Sequence, residues 1–385
     1  MIRTYQYRLY PSKAQAYLLG QTLETCRHFY NACLDERKTA WEERKESVGK
    51  FAQMRQVKPL KATNPYASGI HSHILQVVVD DLDKTFQAFF RRIKAGETPG
   101  YPRFKGRNRF HSFGLKEYGN GFRLDGRRLK LSGIGRVAVR WHRPLEGQVK
   151  TVRIPCRAGK WYASFACEVD EKLLPPTGRT VGIDVGIASL IATSDGDTVA
   201  PQNWYRSEQS RLRVIQRRVA RRKKGGSNRR KAVAQLQRQH EHIQNRRKDF
   251  LNKLAHTLIA SYDLIALEDL QITNMVKNHH LSKSILDAGW GYFARHLAHK
   301  AEEAGREIVL VNPAYTSKTC SGCGVIFDGL SLSDRWIECE CGVSLDRDVN
   351  AAINILQRAL DRVGQTRWEP TWAVAPRVSQ EAAGL

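Results

Sequence analysis

The sequence predicts a multidomain α/β protein, and three observations carry that expectation. Residues 112–170 break into short β-type runs separated by Gly, Asn and Pro. Two long regions, 11–99 and 206–248, space their apolar residues as helices do. Thr180–Ile187 and Leu264–Glu268 are short apolar runs that each carry a carboxylate. A chain of 385 residues has room for two or three domains, each with its own core.

Taken in order, the first element is a strand. Arg3, Tyr5, Tyr7 and Leu9 alternate against Ile2, Thr4, Gln6 and Arg8 up to Pro11, which cannot donate to a ladder. Ser12 followed by Gln15 is a capping-box signature, so a helix should begin there. Leu18, Leu19, Leu23, Cys26, Phe29, Tyr30 and Cys33 then recur at helical spacing, which makes both cysteines core residues. A second helix is expected over 71–95, its apolar face carrying Ile74, Val78, Leu82, Phe86, Phe89 and Ile93, with Gly96 and Pro99 ending it.

From Gly100 basic and aromatic residues interleave. Arg103 and Lys105, beside Tyr101 and Phe104, are candidate nucleic-acid contacts on a loop; a plain solvated loop is the competing reading. Strands are expected over 121–124, 128–131, 136–141, 149–154 and 161–169. Together with the first strand they predict a small barrel assembled from residues 1–10 and 100–175, with residues 11–99 inserted as a helical unit. Pro175-Pro-Thr-Gly178 is the predicted boundary.

Beyond it, the strand around Asp184 should be followed by two more, 190–193 and 197–200, in a meander. Residues 206–248 hold sixteen Lys and Arg against two acidic residues, in two helices split at Gly225-Gly-Ser-Asn228. The second helix keeps Leu236, Ile243, Phe250, Leu254 and Leu258 for packing. Arg217, Arg218, Arg221, Arg222, Lys223 and Lys224 are therefore expected to track a nucleic-acid backbone. Residues 366–385 lack a packed pattern and are expected to form a flexible tail.

Charge narrows the function classes. Lys and Arg number 63 against 38 Asp and Glu, a formal net charge of +25, which calls for a polyanionic partner. No long apolar run or signal-type segment is read, so nucleic acid rather than a membrane is the expected partner and the cytoplasm the expected compartment. Eight Trp and thirteen Tyr add faces on which bases can stack, though most aromatics in any domain are core.

Cys320-Ser-Gly-Cys323 and Cys339-Glu-Cys341 are two tight thiol pairs suited to one tetrahedral Zn²⁺. The second pair is one residue shorter than usual, and Gly342 after it can supply the turn. Cys26, Cys33, Cys156 and Cys167 are scattered, which favours a metal site over a disulfide framework.

Asp184 within a strand, Glu268 at a strand end and Asp348 in the first turn of a helix built from Asn350, Ala351, Ala352, Ile353 and Ile355 form the order of an RNase H-like core. Asp346 is the alternative to Asp348. Three carboxylates brought to one point could hold two Mg²⁺ ions about 4 Å apart, one activating water and one stabilising the leaving oxygen in phosphodiester hydrolysis.

Gly182-Ile-Asp-Val-Gly186, Leu267-Glu-Asp-Leu270, Thr319-Cys-Ser-Gly-Cys-Gly324 and Leu345-Asp-Arg-Asp-Val-Asn-Ala-Ala352 together resemble the TnpB family of transposon-encoded RNA-guided nucleases, which are similar to compact type V CRISPR effectors. Tyr10-Pro-Ser12, Pro102-Arg-Phe-Lys105, Ile285, Asp287, Trp290 and Phe293 add less specific support. The resemblance implies an OB-like β-barrel with a helical recognition insert, then a RuvC-like nuclease domain over 176–365 with a zinc ribbon at 316–343. It implies a guide RNA from the transposon end, a double-stranded DNA target flanked by a short motif, and a prokaryotic host. Asp184, Glu268 and Asp348 match the family's catalytic, magnesium-holding residues, and Cys320, Cys323, Cys339 and Cys341 its zinc ligands. Three other readings stay open at this point: guide-directed DNA binding without cutting, a zinc-ribbon nucleic-acid binder without a guide, and a transposase.

Overall fold

The computed structural model describes residues 1–364 except 108 and 332; the tail expected at 366–385 lies outside the described residues. The chain divides into two compact units, the first spanning Met1–Asp170 and the second beginning at Glu171.

The first unit contains β1 (Ile2–Tyr10), α1 (Lys13–Arg44), three short helices α2 (Lys50–Arg55), α3 (Val57–Thr63) and α4 (Pro65–Ser68), then α5 (Ser72–Lys94). Seven strands follow: β2 (Ser112–Leu115), β3 (Glu117–Tyr118), β4 (Gly121–Asp125), β5 (Arg128–Leu131), β6 (Gly135–Arg140), β7 (Gln148–Arg157) and β8 (Lys160–Glu168). They join β1 in one sheet of order β2-β7-β8-β1-β6-β5-β4-β3. The alternation read in β1 is realised: Tyr5, Tyr7 and Leu9 are buried, in one core with Cys26, Cys33, Ile74 and Val78. The Ser12 capping box forms with both reciprocal hydrogen bonds, Gln15 N to Ser12 Oγ at 3.2 Å and Ser12 N to Gln15 Oε1 at 3.0 Å.

Two expected core positions are corrected. Leu18 and Ile93 are exposed. The buried residues of α5 end at Leu82, and its last turns instead set Phe86 and Phe89 edge-on against Tyr101. Apolar spacing runs the length of the helix, but the sheet that could cover it does not.

In the second unit β9 (Thr180–Asp184), β10 (Ile191–Thr193) and β11 (Thr198–Val199) form the meander, and α6 (Trp204–Ala220) and α7 (Ser227–Ser261) are the basic helices. Next come β12 (Leu264–Glu268), α8 (Ile272–Met275), α9 (Ser282–Ala288), α10 (Trp290–Ala304) and β13 (Glu307–Val311). The hairpin β14 (Trp336–Glu338) and β15 (Ser344–Asp346) then leads into α11 (Arg347–Val363). The sheet order is β11-β10-β9-β12-β13, with β9, β12 and β13 mutually parallel.

Strand alternation assigns the two faces of this sheet. Val181, Ile183, Ile265 and Leu267 pack with Leu251, Ala255, Leu258, Phe293 and Leu297 of α7 and α10. Leu264 and Ala266 point the other way and pack with Ile355, Leu356 and Leu360 of α11. Gly182, Asp184 and Glu268 share the parity of that second face, so both strand carboxylates point toward α11. The Pro175 segment is fastened to this unit: Thr177 N and Gly178 N donate to the Asp263 carboxylate, and Arg306 donates to Pro175 O at 2.7 Å. No helix among the described residues is long and apolar enough to cross a membrane.

Candidate functional site

The parallel ladder of β9 and β12 pairs Ile183 with Leu267, so the next residues, Asp184 and Glu268, end neighbouring strands on one face. The third carboxylate reaches them through glycine. A Cβ on Gly182 would stand 2.0 Å from Ala352 O, and one on Gly186 would stand 3.7 Å from Asp348 Oδ2. The helix therefore runs antiparallel to β9. Going up β9 thus means going back along α11 toward its first turn, where Asp348 comes close enough to Asp184 to act on its charge.

The crowding of charge is legible in the acidities. Burial, then Glu268, then Asp348 push the Asp184 carboxyl up to about 8. Burial raises Glu268, opposed by the hydroxyl of Thr316 and by Arg358. Burial and Asp346 raise Asp348, opposed by Arg335 and Arg347. Hard oxygen donors, poorly hydrated and mutually repelling, fit a divalent cation of the Mg²⁺ type, which would restore their ionisation.

Asp346 and Asp348 are placed differently on α11. Asp346 is the N-cap of α11; its Oδ1 accepts from Asp348 N at 2.8 Å and Val349 N at 3.2 Å. That cap engages Asp346 with the helix, while Asp348 Oδ2 lies beside Gly186, just past the end of β9. Arg335 Nη1 lies 3.8 Å from Asp348 Oδ1.

The four cysteines converge. Cys320 and Cys341 have sulfurs 3.6 Å apart, Cys323 and Cys339 3.5 Å, and all four sulfurs lie within 4.8 Å of one another. These are free thiols, far beyond disulfide length. A tetrahedron with Zn–S bonds of about 2.3 Å has edges of about 3.8 Å, so the thiols suit Zn²⁺. Each pair sits on a turn closed by glycine: Gly324 N donates to Cys320 O and Gly342 N to Cys339 O, both glycines at positive φ. Among the described residues this is the one group of three or more such ligands found at that spacing.

Of the basic candidates, Arg217, Arg218, Arg221 and Arg222 line one groove at the end of α6, and Lys223 and Lys224 follow in the turn. Arg218 also donates to Gln235 at 3.0 Å. Arg103 and Lys105 belong to the other unit. Arg103 is exposed, whereas Lys105 is held at its backbone by Arg27 and Asn31 and lies over the Tyr30 ring.

Sequence reasoning missed Thr316, Asn354 and Arg335 and took Asn350 only as part of a helix. Asn350 and Asn354 did carry a signal, two amides one turn apart in a buried stretch, Val349–Leu356, whose other residues are Val, Ala, Ile and Leu. Thr316 carried none, because its partner Glu268 is 48 residues away.

Comparison with known proteins adds three kinds of finding. Family models match residues 1–46 (described as a helix-turn-helix domain), 164–279 (a probable transposase) and 290–355 (the Cas12f1-like TNB domain). Residues 1–46 are here one strand and one long helix. A Streptomyces pristinaespiralis protein named as an RNA-guided DNA endonuclease is 36% identical over 366 residues, 93% of this chain and 89% of the relative. InsQ of Escherichia coli K12, named likewise, is 30% identical over 376 residues, 92% of each chain. The fold is similar to that of Cas12f1 in its complex with sgRNA and target DNA, with a TM-score of 0.59 at 13% identity, covering 92% of this chain and 98% of that one.

Proposed function

The chain belongs to the TnpB family of RNA-guided DNA endonucleases, and from that premise we propose that it hydrolyses target double-stranded DNA at Asp184, Glu268 and Asp348, directed by a bound guide RNA. The observation that carries this reading is the convergence of those carboxylates at two parallel strand ends and the first turn of α11. The same arrangement supports an RNase H-like, RuvC-like nuclease domain with a ribbon at 316–343. The eight-stranded sheet supports an OB-like barrel carrying residues 11–99 as a recognition insert.

Asp184, Glu268 and Asp348 would hold the magnesium. Bound there, Mg²⁺ supplies Lewis acidity toward a scissile phosphate and a more acidic water. The chain's own part is placement. β9 and β12 fix two carboxylates side by side, Asp346 caps the helix that bears the third, and the arginines at the end of α6 meet the nucleic-acid backbone. Cys320, Cys323, Cys339 and Cys341 would hold a structural zinc with no open position for chemistry. Base pairing with the guide supplies most of the sequence specificity, and a short motif beside the target the rest. The protein acts in the cytoplasm of a prokaryotic host of the mobile element.

The test is cleavage of a plasmid library, randomised beside a chosen target, by protein carrying a reprogrammed guide. Wild type should cut where the guide directs, with Mg²⁺ and beside one motif. Asp184→Asn, Glu268→Gln and Asp348→Asn should bind the target and leave it intact, while Asp346→Asn, whose amide oxygen can still accept the two cap hydrogen bonds, keeps cutting. Cutting by all three variants would overturn the assignment.

A further inference from the structure

We propose that Thr316 is a positioning residue for Glu268, and that Asn350 and Asn354 tie this positioning to the four-cysteine centre, making the ribbon a structural part of the cleavage site. The inference rests on the reading of Glu268 as a catalytic carboxylate.

The geometry is a chain of hydrogen bonds. Thr316 is buried, with 3% of its surface exposed, and its Oγ1 lies 2.5 Å from Glu268 Oε1 and 3.1 Å from Pro313 O. A hydroxyl has one proton, and the nearer, negatively charged acceptor is the stronger partner. One carboxylate oxygen is thereby fixed, which sets the direction of the other.

Thr316 is itself held from α11. Asn354 Nδ2 donates to Thr316 O at 2.9 Å and to Thr319 O at 2.7 Å. One turn earlier, Asn350 Nδ2 donates to Thr319 O at 2.7 Å while its Oδ1 accepts from Ser321 N at 2.8 Å. The two amides thus grip the residues on either side of Cys320. Asn350 is completely buried, so each of these bonds costs its full desolvation if broken. Two residues before Asn350 on the same helix stands Asp348. The first cysteine turn, the helix that bears Asp348 and the hydroxyl that orients Glu268 are consequently one connected object.

A purely structural role for these bonds would change stability and leave metal binding at the carboxylates alone; the positioning role changes both. The full chain with its guide RNA is therefore compared as wild type, Thr316→Val, Thr316→Ser and Glu268→Gln. Mn²⁺ binding is followed by electron paramagnetic resonance, target affinity by filter binding, and cleavage under single turnover. Thr316→Val should weaken Mn²⁺ binding several-fold and slow cleavage at least tenfold with target affinity unchanged, and Thr316→Ser, which restores the hydroxyl, should recover both. An inactive Glu268→Gln beside a Thr316→Val with wild-type Mn²⁺ binding and rate overturns the inference alone. A fully active Glu268→Gln overturns the reading beneath it and the inference together. Should Thr316→Val fail to fold, wild-type protein stripped of zinc by a mercurial gives the second measurement. Hydrogen exchange over 264–270 should accelerate together with that over 316–323; protection of 264–270 unchanged while the ribbon opens would also overturn the proposal.

Discussion

Gly182 lies directly against Ala352, and the contact leaves no room for a side chain: a Cβ at position 182 would meet Ala352 O at 2.0 Å, Leu356 N at 2.7 Å and Leu356 Cβ at 2.8 Å. Two of these atoms are helix backbone, so relief requires α11 to move off the sheet. Gly182→Ala should cost about 3 kcal/mol, which in a unit of this size lowers the melting temperature by roughly 6–12 °C. Cleavage should fall further than stability, because the displaced helix carries Asp348. A melting curve that superimposes on wild type would show that the helix does not bear on this glycine.

The lowered acidity of Asp184 has a sign that can be tested in zinc-loaded protein without magnesium. An unfolded aspartate ionises near 3.9, whereas the folded one holds its proton up to about 8. The folded state therefore binds the extra proton. Its contribution to stability is fully present below the unfolded value, declines as pH rises, and is gone above the folded value. Wild type should melt progressively lower from pH 6 to pH 8, Asp184→Asn should lose much of that slope, and added Mg²⁺ should lift the wild type most at the alkaline end. Parallel slopes for the two proteins would contradict the crowding of charge at this site.

How much of this was legible in the sequence follows from the range of each interaction. Ser12 and Gln15, or Gly342 beside Cys341, are local devices, and both form as read. Asp184, Glu268 and Asp348 lie far apart in sequence, yet each ends or begins an element with a clear pattern, so their convergence could be anticipated. β13 is absent from that reading although Gly305 and Asn312-Pro313 bracket the largely apolar run Glu307–Val311; its place beside β12 is a tertiary fact. Ile93 was misread because spacing reports a helical face but not what covers it. Thr316 and the two asparagines acquire their roles only when α11 is laid against the segment that carries Cys320.

The four thiols should bind one zinc per chain, and that metal should be structural. Cys320 is the buried member, with 1% of its surface exposed, and Gly322 is packed so closely that a Cβ there would come 2.6 Å from Val343 Cγ2 and 3.3 Å from Cys341 Sγ. Cys320→Ser should abolish stoichiometric zinc by elemental analysis and lower the melting temperature, since structural zinc contributes about 10–16 kcal/mol in isolated finger peptides. Zn²⁺ supplied without Mg²⁺ should leave target DNA uncut. Full activity with all four cysteines replaced would remove the ribbon from the account.

The basic end of α6 should reveal itself through salt. Arg217, Arg221 and Arg222 line its groove, while Arg218 has a second task in bonding Gln235, so the first three can be removed with the smaller risk to the helix pair. Each cation that neutralises a phosphate releases counterions and contributes a slope of about 0.7 in log affinity against log salt on a single strand and about 0.9 on duplex. Arg217→Ala, Arg221→Ala and Arg222→Ala combined should therefore reduce the slope for guide RNA or target binding by about 2 to 3, weakening affinity uniformly across sequences because phosphate contacts carry no base information. Which ligand loses the slope identifies the strand that α6 follows: a change confined to guide RNA assigns the groove to the guide, and a change confined to DNA, measured with guide already bound, assigns it to the target. An unchanged slope for both would mean that these charges face solvent and that the polyanion lies elsewhere on the chain.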